Sequence, residues 1–229
     1  MFRSTISILR SLEPLQLMSQ RSMTGMKNKK NPFAKEKLPP LTAMETITSR
    51  DRDLETLVQT HLTSRKVKHG DYDFSECNEG YILCYINTLQ RKKEPQNVFY
   101  GVFYGEDHPL NLQGPVKGIQ TLLHGKDTAI LNAIRNFPKI EAKQLCICTD
   151  CTRTIGMMRR LPEYSENGYR MSAGRILERK DTYEQLTAAV RLRDDLKLRI
   201  MYTPADVIIK MRRAMWLATL ASRAEIEQQ

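Results

Sequence analysis

From residue 79 onward, short apolar runs alternate with segments of helical period, and this order limits the chain to few architectures. Tyr81-Ile82-Leu83-Cys84-Tyr85-Ile86 is a continuous apolar run, as a strand covered on both faces requires. Arg91-Lys92-Lys93-Glu94-Pro95-Gln96-Asn97 reads as a polar turn, and Val98-Phe99-Tyr100-Gly101-Val102-Phe103-Tyr104 as the returning strand of a hairpin. The pattern predicts a third strand over 118–122, a helix over 128–137 that stops at Pro138, and a strand over 144–149. Next come a short helix over 152–160, a helix from Asp181 through Val190, a strand over 198–202 and a last helix over 205–224. The order β-β-β-α-β-α-α-β-α predicts an α/β fold, a mixed five-stranded sheet with helices on both faces.

The segment before residue 79 has a different character. Residues 1–43 read as a presequence-like basic tail and linker. Arg3, Arg10 and Arg21 lie among serines with one acid, Glu13, and Phe2, Ile6, Leu9 and Leu12 recur at helical spacing. That is the pattern of a mitochondrial transit peptide. Met18, Met23 and Met26 offer internal starts that would omit it and allow a nuclear product. Residues 24–40, rich in Lys, Asn and Pro, read as the linker. Leu54, Leu57, Val58, His61 and Leu62 predict an amphipathic helix over 44–64, within an extension spanning 44–70. It is expected to pack on the main domain or on a protein partner.

The net charge of +10 favours nucleic acid, an anionic surface or an acidic partner. No stretch approaches the ~18 consecutive apolar residues of a membrane helix, so no membrane association is expected. Five cysteines without a disulfide-like framework indicate a reducing compartment. Cys146, Cys148 and Cys151 lack the paired spacing of a zinc site and read as core cysteines.

Several motifs, in order, resemble the catalytic domain of type 1 ribonuclease H. They are Tyr100-Gly101-Val102-Phe103-Tyr104-Gly105 with His108-Pro109-Leu110-Asn111, then Thr149-Asp150, then Leu161-Pro162-Glu163-Tyr164 with Asn167-Gly168-Tyr169, and last Trp216-Leu217-Ala218. The resemblance covers residues 79–224. It implies a ribonuclease H-like fold and, in the family, hydrolysis of the RNA strand of an RNA–DNA hybrid by two magnesium ions held on four acids.

Each acid position can be tested against this sequence. The first acid should follow the apolar run, where the chain has Asn87. The second falls on the first helix, where the expected equivalent is Ala129. Asp127 lies two residues away, a rotation of ~200° that turns it elsewhere. The third is retained as Asp150, and the fourth is replaced by Met215. The family's histidine loop is replaced by Tyr202-Thr203-Pro204-Ala205-Asp206, leaving Asp206 as the best compensating acid. Asp150 alone cannot hold two metals, so the expectation is a catalytically inactive, pseudo-ribonuclease H protein with no cofactor and no metal site. The alternatives are a divergent magnesium-dependent hybrid endonuclease and a structural subunit of a ribonucleoprotein.

Residues 151–224 hold 15 Lys and Arg against 8 Asp and Glu. Arg153, Arg159, Arg160, Arg170 and Arg175 gather around the family's basic protrusion, interleaved with Tyr164 and Tyr169. The resemblance implies that this region grips nucleic acid, with arginines on phosphates and tyrosines stacking on sugars or bases.

Overall fold

The computed structural model describes residues 44–92, 97–171 and 173–227. The transit-peptide reading and the linker, residues 1–43, lie outside the described residues.

Five strands form the predicted mixed sheet: β4 (Ile82–Gln90), β5 (Val98–Phe103), β6 (Leu112–Pro115), β7 (Gln144–Thr149) and β8 (Lys197–Tyr202). Their order across the sheet is β6-β5-β4-β7-β8, with β6, β5 and β4 antiparallel and β4, β7 and β8 parallel. The apolar runs are continuous because both sheet faces are covered. On β4, Ile82, Cys84 and Ile86 enter one core, and Leu83 and Tyr85 the other. On β7, Leu145 and Ile147 alternate in the same way with Cys146 and Cys148.

The first core is closed by α2 (Leu122–Asn136), α3 (Thr152–Arg159), α4 (Leu161–Glu166) and α5 (Lys180–Arg191). The second is closed by α1 (Leu54–Leu62) and α6 (Ile209–Glu227). The four cysteines at 77, 84, 146 and 148 are buried, and burial pushes the Cys77, Cys84 and Cys146 thiols up. They act here as core residues.

Three expectations need correction. The third strand is not 118–122 but β6, and residues 118–121 lead into α2, whose N-cap is Thr121. The helix over 44–64 is only α1, capped by the Asp53 carboxylate accepting from Thr56 N at 2.8 Å. The rest of the 44–78 segment holds three short strands joined by turns. β1 (Glu45–Ile47) runs parallel to β8, and β2 (Arg65–His69) pairs with β3 (Tyr72–Glu76) across a two-residue turn with Gly70 at φ 58°. The sheet therefore has eight strands rather than five. Residues 44–78 belong to the same sheet instead of forming a separate extension.

Candidate functional site

The parallel β4–β7 register pairs Tyr85 with Cys148. Carried two residues further, it brings Asn87 within β4 level with Asp150, just past the end of β7, beside the first turn of α2. That turn comes unusually close. A Cβ on Gly125 would sit 2.8 Å from Thr88 Cγ2 and 2.9 Å from Val98 Cγ1. Glycine lets the helix settle against β4 and β5, and the next residue, Lys126, enters the site.

Lys126 is the centre of this arrangement. Its Nζ donates to Asn87 Oδ1 at 3.1 Å and makes a short ion pair with Asp150 Oδ1. Asn87 is held from three directions. Its Oδ1 also accepts from Thr88 N at 2.9 Å, and its Nδ2 donates to Met211 O on α6 at 3.4 Å. Lys126 is 7% exposed, so its charge has to be paired, and Asp150 is the partner.

The position expected to have lost its acid was Ala129. Ala129 is fully buried in the first core with Ile86 and Ile130. The α2 side chain that reaches Asp150 is Lys126, one turn earlier, so α2 presents a cation to Asp150. Asp127 points away, as the helical rotation predicts. It pairs with Arg179 at the start of α5, while burial pushes its carboxyl up to about 7 against that guanidinium.

Met215 lies one turn beyond Met211 on α6. With Thr88, Gln90, Arg91, Lys92 and Leu122 it lines an open groove of about 430 Å³. Asp206 is exposed in the turn after β8, where its backbone carbonyl accepts from Arg212. Among the described residues no group of three or more His, Cys, Asp or Glu side chains converges. A magnesium pair needs several hard, anionic oxygen ligands. A carboxylate already paired with an ammonium, a neutral amide and a thioether do not fit it.

The protrusion departs from expectation in its aromatic residues. Tyr164 is 3% exposed and stacks on Tyr183; Tyr169 is 7% exposed and donates to Thr187 Oγ1 at 2.9 Å. Neither ring is free to stack on a base. Both rings pack towards α5 in the first core rather than on the surface. Tyr169 sits at φ 60°, a left-handed conformation that a bulky residue rarely adopts. Its N–H, bonded to Tyr164 O at 2.7 Å, helps hold it there.

The arginines divide into two groups. Arg159 reaches back to Thr46 and forms an ion pair with Asp51 at 2.9 Å, and Arg160 pairs with Glu163 at 3.1 Å while lying over the Tyr164 ring. Arg153, Arg170 and Arg175 are exposed and make no ion pair among the described residues. Arg170 donates to Gly174 O and Arg175 to Met171 Sδ, contacts that shape the loop without neutralising either charge.

No family model matches the chain, and no curated protein matches it. Solved structures do. The solution structure of the PFV RNase H domain aligns with a TM-score of 0.50 at 18% identity, over 62% of this chain and 94% of that one. The foamy viral protease-reverse transcriptase in complex with RNA/DNA hybrid aligns with a TM-score of 0.48 at 16% identity, over 61% of this chain and 20% of that one. The sheet order, the helices on its two faces and the first of these alignments together show a ribonuclease H-like fold.

Proposed function

We propose that this domain binds nucleic acid and does not hydrolyse it by two-metal chemistry. The observation that carries the reading is the Lys126 ammonium, bonded to both Asn87 Oδ1 and Asp150 Oδ1. A cation fixed by the protein stands among the oxygens that a metal-dependent site would need to keep available. Support for nucleic acid comes from the fold, from the net charge of +10 and from the exposed arginines at 153, 170 and 175. A mitochondrial setting rests on the residues of the tail and is tested by whether residues 1–43 carry a reporter into mitochondria.

The deciding experiment uses the purified full chain with a labelled RNA–DNA hybrid in millimolar magnesium or manganese. Binding without cleavage is expected, read as a shift in anisotropy with intact strands on a denaturing gel. Cleavage that disappears in Asp150→Asn would overturn the reading in favour of a divergent nuclease.

A further inference from the structure

An ammonium has three N–H donors and no acceptor. Lys126 uses two of them inside the protein, on Asn87 Oδ1 and Asp150 Oδ1. No third acceptor lies within hydrogen-bonding distance among the described residues. The pair is not sealed, since 9% of the Lys126 side chain and 30% of the Asp150 side chain remain open to solvent. Lys126, Asn87 and Asp150 do not themselves line the groove, but their neighbours along α2 and β4 do. Leu122 precedes Lys126 by one helical turn, and Thr88 follows Asn87 on β4. Of the two cations along that groove, Arg91 is already bound to Ser222 O and to Glu225 at the end of α6, which leaves Lys92 exposed.

We propose that the third N–H of Lys126 takes a phosphate oxygen of a nucleic-acid strand lying in this groove, and that Asp150 holds the ammonium's charge in check. This rests on the nucleic-acid reading above and deepens it by naming the contact. Asp150 then has a role that does not depend on metal. It fixes the ammonium in place and cancels its charge, so the pair offers the phosphate an oriented donor with little net attraction. An ammonium is a point charge that a phosphate oxygen accepts readily, and the strength of that contact depends on how much of the charge is left uncompensated.

The two residues should therefore act in opposite directions. Asp150→Asn keeps the shape and an oxygen for Lys126 but removes the compensating charge. Affinity of the full chain for a labelled duplex, measured by anisotropy with a chelator present, should rise about three- to tenfold at low salt. The log–log salt slope on duplex DNA should steepen by about 0.9, the value of one further phosphate neutralised. Lys126→Met keeps the stem but leaves a bare carboxylate facing the strand, and affinity should fall about tenfold or more, as loss of a charged hydrogen bond implies. The double variant should lie between the two.

Unchanged binding in Asp150→Asn, or a loss in both single variants, would overturn the proposal. If Lys126→Met fails to fold, judged by its melting curve, the rise or absence of a rise in Asp150→Asn decides alone. A wild-type chain that binds no RNA, DNA or hybrid brings down the nucleic-acid reading and this contact with it. Wild-type binding that is indifferent to residue 150 brings down the contact only.

Discussion

His61 shows what a single buried polar residue contributes here. Both ring nitrogens are occupied, with Nδ1 at 3.1 Å from Tyr85 OH and Nε2 at 3.1 Å from Thr203 Oγ1. Burial, with a smaller push from Lys210, lowers its pKa to about 4. The folded state thus keeps it neutral, while the unfolded chain protonates it below the usual ~6.5. Its stabilisation is complete above that value and is lost as pH falls towards 4. Asp127, raised to about 7, works the other way across the same window, so the total pH profile will understate each. Comparison with His61→Gln isolates the histidine. In urea titrations, the stability gap between wild type and variant should narrow by about 2 kcal/mol between pH 7 and pH 5. A gap that stays constant would mean that His61 titrates in the fold as it does in the unfolded chain. The same class of residue limited what could be read from the sequence. His124-Gly125-Lys126-Asp127 does not look like the first turn of a buried helix, yet Lys126 and Asp127 are 7% and 0% exposed. Their partners, Asp150 and Arg179, lie 24 and 52 residues away, beyond the reach of any periodicity. Starting α2 six residues late concealed the residue that fills the site and left Ala129 as its apparent occupant.

At the scale of elements, the central strands were legible because burial on both faces makes an unbroken apolar run, as in β4 and β7. The added strands were not. β2 reads Arg65-Lys66-Val67-Lys68-His69, of which only Val67 packs on a core, so it carries little alternation. Its one signal was the Gly70-Asp71 turn. The packing of α6 turns on another glycine. A Cβ at Gly101 would stand 2.0 Å from Ala214 O and 2.9 Å from Ala218 N. Those are backbone atoms and cannot rotate aside, so Gly101→Ala must lift α6 from β5 or bend the strand. The expected cost is at least about 2 kcal/mol, towards the upper end for overpacked sites. Chemical unfolding measures it directly, and a variant as stable as wild type would show that α6 does not press on β5 in solution. Because Met211 O on α6 accepts from Asn87, the same variant should also loosen the Lys126 centre.

Over the whole molecule, the question is which of the positive charges a polyanion can use. The net charge is +10, but many cations are committed internally. Arg199, 4% exposed, ties Glu45 of β1 and Glu79 to β8, and Arg193 closes over the carbonyls at the end of α2. Arg159 and Arg160 sit in exposed ion pairs, which are individually weak and exchangeable with a phosphate. Arg153, Arg170 and Arg175 start with no such partner among the described residues. If the protrusion grips phosphates, replacing both Arg170 and Arg175 by Ala should reduce the log–log salt slope on duplex DNA by about 1.8, roughly 0.9 for each phosphate released. The melting temperature should hardly move, because both side chains are exposed. Tyr164 provides the internal control. Its ring is buried, and its hydroxyl contacts only Met157 Sδ at 3.9 Å, so Tyr164→Phe should leave affinity and slope unchanged. A loss of affinity in that variant would place the hydroxyl on the ligand and reverse the burial described above. A slope indifferent to Arg170 and Arg175 would move the phosphate-binding face away from the protrusion, towards the groove beside Lys126 and Lys92.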